Sequence, residues 1–202
     1  VYLLYTVDQI EGAPDEPPFE ASYGRLTRYT GTIASNGSVA NTTLRAVVLG
    51  QSPLTGIPVC WTTHTVGALR WGHDGSLLVS TGDGARFEGM DDGDQTPGCL
   101  SYMPDSHDIG AFRSQLLDSS AGKILRINPS NGNGLADNPY FDGDLTSVRS
   151  KIWVYGLRNP FRFAVRPGTP APGEIFVSDV GWNTHEELSY APVGANMGWP
   201  CY

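Results

Sequence analysis

At 202 residues with 40% apolar side chains, the chain is long enough to bury a sizeable core. No apolar run approaches the about eighteen residues that a membrane-spanning helix takes, so no segment is expected to cross a membrane as a helix. A formal charge of −8, with only 13 Lys and Arg spread along the sequence, argues against a nucleic-acid partner, because phosphate binding takes a concentrated basic face.

The 25 Gly and 15 Pro point to short strands and tight turns, and the chain reads as all-β. It opens at Val1 inside a strand-like run, without an initiator Met or the charged and apolar regions of a leader, so any signal peptide is expected to be missing from it. VYLLYTVD at 1–8, SLLVSTGD at 76–83 and EIFVSDVG at 174–181 share one plan, an apolar run that meets an acid at its end. YGRLTRYT at 23–30 and AGKILRIN at 121–128 form a second set, alternating apolar with polar residues as a half-buried strand does. GALRWGHDG at 67–75 and FRFAVRPGT at 161–169 form a third, each just ahead of a strand of the first set.

The recurring order of types, with irregular insertions between, describes propeller blades better than a sandwich or a solenoid. The chain holds about two and a half of them. The connections carry the variation: a Pro-rich acidic stretch from Glu11 to Phe19, a long Gly/Asp-rich excursion from Asp83 to Gln115, and a polar loop from Asn128 to Thr146. An excursion that long suggests a functional loop or lid. Its Asp91, Asp92 and Asp94 have the chemistry for calcium but not the spacing of a Ca²⁺ loop, and read instead as a solvated acidic face.

Three cysteines, Cys60, Cys99 and Cys201, fit no metal or redox spacing. Either all three are small buried residues of a cytosolic protein, or the chain is secreted, Cys60 pairs with Cys99, and the partner of Cys201 lies beyond the C-terminus. The acidic, cysteine-poor composition favours the second reading and an extracellular or periplasmic location.

Three turns between Lys151 and Trp199 are chemically loaded. In Gly156-Leu157-Arg158-Asn159-Pro160 the proline holds Asn159 extended, so Arg158 leaves from a stiff loop suited to an anion. In Asp179-Val180-Gly181-Trp182-Asn183 a glycine at a strand end lets backbone carbonyls approach a ligand or ion. The third is Gly194-Ala195-Asn196-Met197-Gly198-Trp199-Pro200.

With Thr63-His64 and Gly122-Lys123-Ile124-Leu125-Arg126-Ile127-Asn128 upstream, their order and spacing resemble the glucose/sorbosone dehydrogenase family, soluble sugar dehydrogenases that use pyrroloquinoline quinone (PQQ) and calcium. The resemblance is close over residues 60–202 and loose over 1–50, and implies that 1–202 is an incomplete propeller domain of a six-bladed ring. It implies oxidation of an aldose or related sugar at its anomeric carbon to a lactone, with electrons passed to an external acceptor, and a fragment that by itself is inactive. His64, in HTVGALRWGHDG, then corresponds to the catalytic base, and imidazole is basic enough near neutrality to take the sugar's proton. Arg158 and Asn159 correspond to the turn that contacts the quinone, where a fixed guanidinium stabilises developing negative charge. Gly181 and Trp182 correspond to the positions whose carbonyls hold the cofactor's calcium, although Trp182 stands where many relatives have proline. Glu187 and the Met197 carbonyl correspond to a second, structural calcium, or Glu187 is a surface acid.

Thr63 and Glu88 stand where a glucose-oxidising relative has other substrate contacts, which leaves the sugar open. His73, His107 and His185 match nothing and read as surface residues. A second implication is a non-catalytic extracellular binding propeller of the same fold; retention of His64, Arg158 and Gly181 together favours the enzyme.

Overall fold

A computed structural model of the chain describes residues 1–7, 22–32, 44–93, 103–183 and 185–201. Eleven strands lie among them: β1 (Tyr2–Val7), β2 (Ser22–Tyr29), β3 (Arg45–Leu49), β4 (Ile57–Val59), β5 (Val66–Trp71), β6 (Leu77–Thr81), β7 (Lys123–Ile127), β8 (Ile152–Tyr155), β9 (Arg162–Val165), β10 (Ile175–Asp179) and β11 (Glu187–Ala191). The helical segments among the described residues are short 3-10 turns, the longest at Gly110–Gln115.

The strands form three antiparallel sheets. In the first, β1 pairs with β2, and β3 and β4 lie end to end along the far side of β2, at Leu26–Tyr29 and Ser22–Gly24 respectively, so they are one strand line interrupted between Gly50 and Gly56. The second is a four-stranded meander, β5-β6-β7-β8; the third runs β9-β10-β11. The repeat seen in the sequence labels them. GALRWGHDG and FRFAVRPGT supply β5 and β9, SLLVSTGD and EIFVSDVG supply β6 and β10, and AGKILRIN supplies β7. By the same equivalence β1 and β2 match β6 and β7. The described chain is therefore one blade of four strands flanked by two of three strand lines, with β5 packed against β1 on one side and β9 on the other.

The core lies between the sheets, and strand periodicity decides who enters it. Leu77 and Val79 of β6, with Leu125 and Ile127 of β7, pack against Leu26, Val48 and Leu49 of the first sheet. Leu78 and Ile124, on the opposite face, pack against Phe163, Ile175 and Val177 of the third. The middle sheet is thus covered on both sides, and this corrects the expectation that AGKILRIN is half-buried: all five residues of β7 are buried. Its two cations are satisfied rather than solvated. Arg126 bonds Asp74, Asp137 and Asn138 and lies over the Trp153 ring. Lys123 Nζ donates to the carbonyls of Arg113, Ser114 and Ala121 at 3.1, 2.8 and 2.6 Å, and its burial pushes the amine well below its usual range.

Two further expectations change. Asp91 is not part of a solvated acidic face: it is buried, accepting the backbone N–H groups of Arg86 and Gly93 with its carboxylate, while Asp92 is exposed and Asp94 lies outside the described residues. His107 is half-buried rather than a surface residue. Cys60 is disulfide-bonded and Cys201 is free and exposed; Cys99, the expected partner, lies outside the described residues. No helix among the described residues is long and apolar enough to cross a membrane.

Candidate active site

His64 sits in the connection from β4 to β5, buried, with φ +52°. A non-glycine residue in the left-handed region carries strain, and such residues persist only where neighbours over-determine them. Here the neighbours are the glycines that follow β6. Gly84 N–H donates to the His64 carbonyl at 2.9 Å and Gly82 N–H to that of Thr65 at 2.7 Å. A Cβ on Gly82 would stand 2.1 Å from the His64 carbonyl oxygen, so only glycine permits this approach.

The strap delivers Asp83. Its Oδ1 accepts the His64 Nδ1 proton at 2.9 Å and the Ala85 N–H at 2.9 Å, and its Oδ2 accepts the Trp199 indole N–H at 2.8 Å. The carboxylate is buried at 1% exposure, so these three donors replace water around it. A carboxylate facing Nδ1 places the imidazole proton there and leaves the lone pair on Nε2, which makes no hydrogen bond among the described residues.

Arg158 reaches the same place from the next connection, β8 to β9. Its carbonyl accepts the Asp83 N–H at 2.8 Å, which joins the two loops directly. Its own N–H and that of Asn159 donate to Asp179 Oδ2 and Oδ1 at 2.8 and 2.6 Å, so the last residue of β10 fixes the turn. Burial pushes the Asp179 carboxyl up to about 6 in spite of these two donors. The guanidinium is buried at 6% exposure, 5.4 Å from the Trp199 ring centroid, with Nη1 donating to the carbonyls of Val180 and Gly181 at 3.2 Å each. Its Nε is buried without an acceptor. Desolvation lowers the arginine's pKa, opposed by the charges of Asp83, Asp179 and Glu186.

Gly181 is pressed on its far side. A Cβ there would lie 1.5 Å from the His185 carbonyl oxygen, and its N–H donates to Glu186 Oε2 at 3.0 Å. Trp182, 41% exposed, meets Trp199 edge to face at 6.0 Å. Trp199 is held by its own carbonyl, which accepts from Ser114 Oγ and Gln115 Nε2 at 2.9 and 2.6 Å. A run of contacts therefore links His64, Asp83, Trp199 and Arg158, from residues far apart in sequence.

The remaining expected residues divide. Thr63 is half-buried and donates its hydroxyl to the Ala85 carbonyl at 3.1 Å, next to His64. Glu88 is exposed on the turn beyond Ala85. Glu187 is exposed, opposite Asp179 in the β10–β11 register, and no hydrogen bond joins it to Met197, whose N–H donates to Tyr155. Asn159 uses its backbone here, its carbonyl accepting from Val180 N–H at 3.1 Å.

No group of three or more His, Cys, Asp or Glu poised for a metal occurs among the described residues. A calcium ion would be held through carbonyl oxygens, and of the two expected carbonyls, those of Gly181 and Trp182, the Gly181 carbonyl already receives a cationic donor and has the right chemistry. Asp83 and Asp179 are the residues that sequence reasoning missed. Both fall at the acid-terminated strand ends that the repeat exposed, a signal that was present but had no partner attached to it.

The chain is similar to known proteins in the same terms. The HIPL2 protein of Arabidopsis thaliana is 30% identical over 150 residues, which cover 67% of this chain and 18% of that protein. The aldose sugar dehydrogenase YliI of Escherichia coli is 29% identical over 128 residues, 63% of this chain and 29% of that one. The PQQ-bound aldose sugar dehydrogenase of Streptomyces coelicolor superposes with a TM-score of 0.58 at 23% identity, over 90% of this chain and 41% of that one, a likeness of fold. The chain thus spans less than half the length of each. The family model for glucose/sorbosone dehydrogenase matches residues 36–202, which takes in the His64 strap, the Arg158 turn and the Gly181 carbonyls together, and the chain belongs to that family.

Proposed function

We propose that this chain is part of a PQQ- and calcium-dependent sugar dehydrogenase that oxidises an aldose or related sugar at its anomeric carbon to a lactone and passes the electrons to an external acceptor. The observation that carries it is the buried Asp83 carboxylate holding His64 by Nδ1, with Arg158 bonded to the same loop. The chain's own residues supply the proton chemistry. His64 Nε2 accepts the proton of the anomeric hydroxyl, and Asp83, by fixing the ring and its tautomer, favours the imidazolium that results.

PQQ, when bound with calcium, supplies the acceptor for the two electrons that leave the anomeric carbon with its hydrogen. Arg158 and Asn159 would hold it, the guanidinium facing negative charge from a stiff loop. The carbonyls of Gly181 and Trp182 would hold the ion, with Glu187 at a separate, peripheral calcium. Thr63, beside His64, and Glu88 would meet the sugar. The Cys60 disulfide supports an extracellular or periplasmic setting.

Adding PQQ and calcium to the full-length protein and following the quinone absorbance, then sugar-dependent dye reduction, tests the reading. A shifted spectrum and turnover that falls about 10²–10⁴-fold in His64→Ala are expected. An unshifted spectrum and no oxidation of any aldose would overturn it in favour of a non-catalytic binding propeller.

A further inference from the structure

The arginine and the metal reading compete for the same oxygens. Arg158 Nη1 donates to the Val180 and Gly181 carbonyls at 3.2 Å each, and the Gly181 carbonyl is one of the two to which the reading above gives a calcium ion. Calcium stands about 2.3–2.6 Å from an oxygen ligand, so an ion on the Gly181 carbonyl would lie within about 6 Å of Nη1 whatever its direction. At that range a dication and a buried guanidinium repel one another, although the carbonyls between them are only partly buried.

The present seat of the arginine is also incomplete. Its Nε is buried and has no acceptor, although Asp83, Asp179 and Glu186 all act on it by charge. A buried donor left unmatched calls for an explanation, and a partner met in a second position of the side chain supplies one. Burial works against a positive charge near these carbonyls, but the carboxylates of Asp83, Asp179 and Glu186 attract one, and the guanidinium is the cation that the chain itself places there.

We infer that Arg158 is a resident stand-in for the metal: guanidinium and divalent ion are alternative occupants of the Gly181 carbonyl, and the ion binds only as Arg158 swings away. The inference rests on the reading that the Gly181 carbonyl belongs to the calcium site. A swung arginine presents its unmatched Nε and both terminal nitrogens to an incoming anion, so metal loading and capture of a carboxylate-bearing ligand are thermodynamically linked, each strengthening the other. Without the anion, the chain should bind calcium weakly.

Terbium, an oxygen-seeking calcium surrogate excited through Trp182 and Trp199, measures the ion in the full chain without any turnover. Arg158→Met, which keeps the apolar stem of the side chain and removes the guanidinium, is expected to bind Tb³⁺ at least about tenfold more tightly than the parent, with calcium displacing it, while Arg158→Lys stays within about threefold of the parent. Measurable binding by a folded Arg158→Met that is equal to or weaker than the parent's overturns the competition and leaves the metal site standing. Failure of all three proteins to bind Tb³⁺ overturns the metal site and the inference together.

A second measurement needs no variant. The Arg158 Nε–H resonance, shifted by the Trp199 ring current, should move away from that position as calcium is added to ¹⁵N-arginine-labelled protein. A resonance that stays put while the ion binds stoichiometrically overturns the inference.

Discussion

Asp83 answers three donors with two oxygens, and each answer has a different consequence. Asp83→Asn keeps the shape but sets an NH2 against one of the three donors: toward Trp199 it leaves His64 its bond without the carboxylate's charge, and toward His64 it moves the imidazole proton to Nε2 and removes the proposed base. On the proposed function, turnover of the full-length protein should fall about 10²–10⁴-fold, and the pH–rate profile should change form as well as height. An unchanged profile would reduce Asp83 to packing. Gly181→Ala is a purely steric counterpart, since its methyl would stand 1.5 Å from the His185 carbonyl oxygen. It should lower stability by about 1–3 kcal/mol and weaken Tb³⁺ binding, both readable from melts with and without the ion. His64, Arg158 and Gly181 were legible in the sequence because each is announced by its immediate neighbours. Asp83 and Trp199 were not, because their meeting is made by loops from separate strands, and no local pattern records it.

Among the elements, β7 repays most attention. It was legible as a strand but not as one buried on both faces, because Lys123 and Arg126 read as solvent-facing until the carbonyls and carboxylates that satisfy them are seen. Lys123→Met would strand three carbonyls beneath the site and should cost about 1–3 kcal/mol, measured as a lower urea midpoint at unchanged slope.

Arg126 makes a pH prediction through the turn ahead of β6. Burial works against the Asp74 carboxylate, but hydrogen bonds from Arg126 and Ser76 outweigh it and hold the carboxyl down at about 2. The folded state thus binds this proton less readily than the unfolded chain, and stability that is present above the unfolded carboxylate range drains away as pH falls from about 4 toward 2. Urea midpoints should show that slope in the parent and a shallower one in Asp74→Asn.

For the whole molecule, the recurring order of strand types was enough to give the blades, because period and turn chemistry are local properties. The break between β3 and β4 was not visible, since pairing with β2 alone makes them one line. One inter-blade feature reaches furthest. The Asp83 N–H to Arg158 carbonyl bond joins the second blade's β6–β7 connection to the turn that leads into the third. The loop that holds His64 and the turn that carries Arg158 are thus bolted to one another across a seam, as two instruments share one mounting plate. Warming that loosens the seam should misalign both together, so on the proposed function activity and PQQ affinity should fade at one common temperature, below the temperature at which the sheets themselves melt by circular dichroism.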